Sequence, residues 1–472
     1  MQMTPRRLIM LLLVVLLVLL AVLLGRFVIS ERLVSPEKVL AMAPPIQVYY
    51  PDGREIDGGT SDPKTVFHSE DGALISFTGM ILDKEDDHKW TRPGDNRVVG
   101  EICRIDENGY HSITVLEGDI YCMYYDDDAK LFYVGLYKYG YYDRNQNPEG
   151  FEVWCVDMRG IILWQRPVGG AIRQIAMYED HILAVIDRNM VYKNWSIGIW
   201  PEDHYDKYDD APRQTHILVL SKEGTPEKLL ELDHEVHVAN QQGLIFEYKN
   251  SYEKQQPATT TWGYIDEELT IHWLETIEGY APYLCRKVDN SEDYYVLMSG
   301  LRDGWDAPRL ETVTANNQKT CFSSYGTSST NSARLFKVTP EREFVEIENF
   351  ASFLPFGKGE GRGKMRIYDL NFDKQNRLFL VGERSLPAVN EDRIVIIAFD
   401  EQYNVSGVTG CQFSEQVSDM SYADIQDDRF MILALDRYKT FPTFAERAAG
   451  AEQAIVYLIY EGSIEYPFAY QP

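Results

Sequence analysis

VDMRGIILWQRPVGG, from Val156 to Gly170, sets a Gly three residues and a Trp seven residues after an Asp: Asp157, Gly160 and Trp164. IDEELTIHW repeats the Asp-to-Trp spacing at Asp266 and Trp273. A spacing kept over about a hundred residues indicates internal repetition.

Working outward, two sub-patterns alternate along the chain. One is a polar turn followed by an apolar strand: SEDGALISF, DDDAKLFYVGL, YEDHILAVIDR, NQQGLIFEY, NSEDYYVLMSG, DKQNRLFLVGE and QDDRFMILALDR. The other is a strand running into a tight polar turn: EICRIDENG, FEVWCVDMRG, HILVLSKEG, WGYIDEEL, ARLFKVTPER, IVIIAFDEQ and AIVYLIYEG. Each occurs seven times, so each unit is expected to hold four strands. A lone four-stranded sheet cannot bury both its faces, whereas a ring of sheets can. The expected fold is therefore all-β: a seven-bladed β-propeller over residues 61–472. The 31 tyrosines suit this, because flat rings pack well on pleated surfaces.

VDMRGIILWQRPVGG followed by IRQIAMYEDHILAVIDR resembles the β-propeller repeat of the quinoprotein (PQQ-like) superfamily. In that family an Asp–x–x–Gly turn precedes an outer strand whose Trp docks between neighbouring blades. The resemblance implies structural roles for Asp157, Gly160 and Trp164. It extends in part to Asp266 and Trp273, where Leu269 replaces the Gly. Elsewhere the position seven after the turn residue is Ile113, Lys228 or Gly407. The resemblance is at the level of fold. The dehydrogenase motif set and a vicinal Cys pair are absent, so no cofactor is expected.

Before the repeats, Arg6 and Arg7 precede an uninterrupted apolar run from Leu8 to Leu24. Extended to residue 29, about 22 residues at about 1.5 Å each span a hydrocarbon core of about 30 Å. This exceeds the usual apolar length of a cleaved signal peptide. Residues 1–7 are expected to form a cytoplasmic tail and 8–29 a signal anchor, with the arginines inside. Residues 30–60 form a stalk whose IQVYY, residues 46–50, is a candidate ring-closing strand. The expected location is the cell membrane, single-pass, with the C-terminal domain outside.

The formal charge of −27 disfavours nucleic acid as a partner. Of the six cysteines, Cys103, Cys122, Cys155 and Cys285 fall inside apolar strands, where Cys acts as a small buried hydrophobe.

The long insertions lie between second and third strands, as at 80–98, 137–150, 188–214, 301–332 and 437–453. The other hairpin turns are short. In a propeller these two kinds of connection leave opposite faces, so one face carries the elaboration, as binding surfaces of repeat proteins do. Its candidate partner-binding residues are Trp90, Tyr139, Tyr141, Trp195, Trp200 and Trp305, with the basic cluster Lys358, Arg362 and Lys364. Flat rings beside polar groups suit protein hot spots and sugars alike.

No catalytic residue is recognisable. FGKGEGRGK, residues 356–364, fails as a phosphate loop in spacing and in lacking Ser or Thr. DRNQNPEG, residues 143–150, lacks the Gly and Glu of a calcium loop. His234 and His237 lie three apart on a strand and so face opposite sides, while Glu235 and His237 share a face; no metal is expected. The expected function is non-catalytic binding of a protein or glycan outside the cell through the long-loop face. The alternative is an enzyme or small-molecule-binding protein using the central channel.

Overall fold

The computed structural model describes residues 38–40, 46–49, 65–69, 72–81, 97–106, 109–138, 150–168, 170–187, 215–239, 243–249, 259–288, 291–300, 320–323, 334–347, 365–372, 376–386, 391–403, 405–411, 417–426, 429–436 and 456–463. Two strands come first, β1 (Lys38–Leu40) and β2 (Ile46–Tyr49). Four plain antiparallel meanders follow. β3 to β6 are Thr65–Ser69, Gly72–Ile81, Arg97–Asp106 and Gly109–Glu117. β7 to β10 are Asp119–Asp126, Leu131–Tyr137, Phe151–Asp157 and Ile162–Pro167. β11 to β14 are Ala171–Tyr178, His181–Asp187, Thr215–Ser221 and Pro226–Leu232. β15 to β18 are Glu235–Val238, Leu244–Lys249, Thr259–Ile265 and Ile271–Glu278.

Three further sheets depart from that plan. β19 (Tyr280–Lys287), β20 (Tyr294–Gly300), β22 (Arg334–Val338) and β23 (Phe344–Glu346) form a meander to which β21 (Thr320–Ser323) adds on the free edge of β19. β24 to β27 (Met365–Phe372, Leu378–Leu386, Glu391–Phe399, Val405–Cys411) gain β1 as a parallel fifth strand. β28 to β30 (Val417–Gln426, Arg429–Asp436, Val456–Ser463) take β2 as their fourth strand. The uniform four-stranded unit expected seven times is thus present in its plain form four times among the described residues. The C-terminal residues 464–472, expected as the last outer strand, lie outside the described residues. The outer place beside β30 is taken instead by β2, with Ile46 opposite Ile459 and Tyr49 opposite Val456.

The sheets stand face to face in propeller-like order. Side chains alternate along each strand, so each sheet serves two cores. In β8, Phe132, Val134 and Leu136 pack with Leu74, Ile102 and Leu116 of the preceding sheet. Tyr133 and Tyr137 point the other way and pack with Ile172, Ile175 and Leu220 of the next. Similar cores join β11–β14 to β15–β18, that sheet to β19–β23, and that one to β24–β27. First strands adjoin first strands, as β3 with β7, β7 with β11, β19 with β24 and β24 with β28. They are therefore the axial strands. At the rim, β2 adjoins β6.

Cys103, Cys122, Cys155 and Cys285 are buried free thiols within these cores. Burial pushes the Cys122 and Cys155 thiols up to about 12. The anchor segment 8–29 lies outside the described residues, among which no helix is long and apolar enough to cross a membrane.

Candidate functional site

The opening motif forms a seam between sheets. Asp157 Oδ1 accepts the backbone N–H groups of Arg159 and Ile161, both at 2.9 Å. The Ile161 N–H, followed by the Arg159 side chain, holds the Asp157 carboxyl below its ordinary range. The turn needs a positive φ at its fourth residue, and Gly160 supplies 79°. Trp164 then lies under the next sheet's β13–β14 turn and donates from Nε1 to Lys222 O at 2.9 Å. Gly224 makes room for the ring: a Cβ there would fall 2.6 Å from Trp164 Cδ2.

The same fourth position is again Gly in the β13–β14 hairpin, at Gly224 (78°), and keeps a positive φ without Gly in three later hairpins, at Leu269 (59°), Arg342 (65°) and Tyr403 (60°). Each reaches the preceding sheet differently. Leu269 is buried in the seam and its carbonyl accepts from Lys228 Nζ at 2.7 Å. Arg342 lies 3.4 Å over the Tyr264 ring. The Tyr403 hydroxyl meets that of Tyr295 at 2.6 Å. One seam is therefore sealed from either side, by a large residue on the outer strand or by a large residue on the turn.

Trp273 departs from the expected docking role; it is 37% exposed. The cause is a bulge. In β10 the extra residue lies between Ile162 and Trp164, which puts Trp164 opposite Cys155. In β18 the shift occurs between Trp273 and Glu275, so Trp273 lies opposite Gly263 instead. A one-residue change of register turns a side chain to the other face. The place matching Trp164 is held by His272, which stacks on Tyr264 with ring centroids 4.9 Å apart and bonds Asp266 Oδ2 at 2.5 Å.

A second cluster gathers at the end of the sheets from which the long connections leave. That end is fixed by register: Asp119 at the start of β7 faces Tyr137 at the end of β8. Lys138 N donates to Gly150 O at 3.0 Å and closes the base of that insertion. Of the twelve buried polar residues among those described, nine lie in this half: Asp119, Glu152, Arg173, Gln174, Thr215, His216, Glu235, His237 and Thr260. Glu152 accepts from Lys138 Nζ and Trp154 Nε1, both at 2.7 Å.

Arg173 crosses from β11 to β15, donating to Glu235 Oε1 at 2.5 Å and to Val236 O. Gln174 beside it bonds both backbone groups of Val238, at 2.6 and 3.2 Å. His237 Nε2 lies 3.8 Å from the same Glu235 oxygen. These groups tie two axial strands together where apolar contact alone would leave charges unpaired. Among the described residues no group of three or more metal-ligating side chains forms.

The axial strands are also bulged at this end. Extra residues stand at Tyr121 in β7, Arg173 in β11, Tyr283 in β19, Tyr368 in β24 and Ser418 in β28. Bulges concentrate at barrel rims and beside binding sites because they re-aim side chains. At the opposite end the short turns are acidic, as in Asp126–Asp128, Glu179–Asp180 and Asp266–Glu268. The sequence reading missed the polar end of the axial strands. Its signal was the pair Arg173–Gln174 inside the otherwise apolar AIRQIAMY. The nine residues proposed for partner binding, Trp90, Tyr139, Tyr141, Trp195, Trp200, Trp305, Lys358, Arg362 and Lys364, lie outside the described residues.

No protein-family model matches the chain, and no curated protein matches it. Solved structures similar in backbone include an acylaminoacyl peptidase of Pyrococcus horikoshii, 11% identical over 79% of this chain, with a TM-score of 0.43. The chain spans 49% of that peptidase, about half its length. BamB of Moraxella catarrhalis is 7% identical over 92% of this chain and 100% of its own, at a TM-score of 0.37. A DUF4221 family member of Bacteroides vulgatus is 9% identical over 90% and 98%, at 0.35. At such identities and scores the likeness carries no functional argument.

Proposed function

We propose that this chain is a membrane-anchored, extracytoplasmic β-propeller of seven blades, closed by β2, that binds a protein partner through its long-loop face without catalysis. The observation that carries the reading is the polar, bulged end of the axial strands, which lies on the same face as the long insertions. On this reading the loop aromatics and the basic run Lys358 to Lys364 join the axial residues on that face, a combination that suits a partner with acidic and aromatic surface. A glycan is the second occupant consistent with the loop aromatics. The anchor reading rests on Arg6, Arg7 and the apolar run to residue 29.

Two measurements test this. Protease added to sealed spheroplasts should digest the propeller; full protection would refute the topology. Photo-crosslinking residues at Trp90 and Trp195 should give adducts that the same residues at Arg159 and Glu223, on short turns, do not. Equal adducts from both ends would refute the choice of face.

A further inference from the structure

The axial edge of β19 differs from every other axial edge among the described residues, because a strand is paired to it. Axial strands in a propeller leave one row of backbone N–H and C=O groups facing the channel, and such a row is a template for an added strand. On β19 that row is used by β21, with Leu284 opposite Ser323, Cys285 opposite Phe322 and Arg286 opposite Thr320. β21 also adjoins β15 of the preceding sheet, so it lies across the axial ends of two sheets. Its pairing is with the later half of β19, deep from the long-loop face. The strand comes from the connection between β20 and β22, which leaves from and returns to that face.

Two features accompany the pairing. Arg286, at the lower end of the pairing, is 1% exposed, so the edge carries a charged side chain that stays buried. The Tyr283 bulge directly precedes the paired residues, and the β19–β20 ladder resumes beside them from Leu284 to Lys287, so β19 is paired on both edges there. From these we infer that the axial edge of β19 is a strand-acceptor site for an extended peptide segment. The chain's own residues 320–323, TCFS, are its resident ligand. A partner peptide gains the channel only by displacing β21, and recognition is by main-chain hydrogen bonds, with side chains deciding specificity at alternate positions.

The test uses the full chain and a synthetic fluorescent peptide of residues 317–326, NQKTCFSSYG. In the variant Cys321→Pro/Phe322→Pro the resident strand loses backbone donors and should leave the edge. The peptide should then bind the variant saturably and at least tenfold more tightly than it binds the unaltered protein. Equal binding to both, or no binding to a variant with an unchanged circular-dichroism spectrum, overturns the inference.

A second variant covers the case in which the prolines prevent folding. Cys321→Ser/Phe322→Cys sets the new thiol opposite Cys285, at a spacing that paired strands and disulfides share. Oxidation should form the Cys285 link and abolish the weak peptide binding seen under reduction. Failure of the link to form, or binding that persists after it forms, overturns the proposal.

Discussion

The Trp164 seam offers a sharp perturbation because both sides of it are defined. Trp164→Ala removes a partly buried indole that packs beside Tyr133, with ring centroids 6.1 Å apart, and donates to Lys222 O. Full burial would make this loss about 3–5 kcal/mol. Partial exposure puts it near the lower end, about 3 kcal/mol including about 1 for the hydrogen bond. Gly224→Ala acts from the other side. At φ 78° an alanine costs about 1 kcal/mol in backbone strain, and its Cβ collides with the indole, costing about 1–3 more. The strain is independent of Trp164, but the collision is not. In the double variant the collision vanishes, so the two losses should fall short of additivity by about 1–2 kcal/mol. Urea unfolding of the four proteins, followed by fluorescence and circular dichroism, measures that coupling. Losses additive within about 0.5 kcal/mol would refute the contact, since neighbours in one packed seam couple more strongly than that.

Further outcomes follow from the same geometry. Trp273→Ala should cost under about 1 kcal/mol, the range of exposed sites, in contrast to Trp164→Ala, as judged by urea midpoints. Glu235→Gln leaves Arg173 buried against a neutral partner and should cost about 3 kcal/mol, while Arg173→Met/Glu235→Met should recover part of it. Asp157 and Asp266 have carboxyls held below their ordinary range, Asp157 by the Ile161 N–H and Asp266 by His272. Their contribution is complete above the unfolded carboxylate range, about pH 4, and is lost as pH falls through the lower folded values. Asp157→Asn should therefore flatten the acid limb of a stability-against-pH curve. Val48→Pro puts a residue without an N–H opposite Tyr457 in the β2–β30 ladder and should lower the melting temperature, read by calorimetry. Cys103, Cys122, Cys155 and Cys285 should stay unreactive towards an aromatic disulfide reagent at pH 8 until denaturant is added.

What the sequence made legible was periodic. Polar turn, apolar strand, strand, tight turn recurs because every sheet must bury both faces against neighbours. Each quoted copy lands on the second or third strand of a sheet. What stayed illegible depends on events one residue long. Trp164 and Trp273 stand at the same distance from their turn Asp, yet a bulge before one and after the other sends them to opposite faces. No spacing rule carries that information, because a bulge is settled by pairing with the partner strand. The loss at Trp273 is made good from the other side by Arg342 on Tyr264, a contact between residues 78 apart in a chain whose repeat spacing gives no reason to join them. Leu269, Arg342 and Tyr403 conceal the turn rule in the same way. They hold the positive φ that Gly160 advertises, because burial or ring contact offsets the strain. The site followed suit. Loop aromatics were conspicuous by composition, whereas Arg173 and Glu235 gain meaning only when β11 and β15 are set side by side. Charged residues within axial strands therefore carry as much weight in such repeats as tryptophans at fixed offsets, since neighbouring repeats adjoin along those strands and a buried charge there needs a partner from the next sheet.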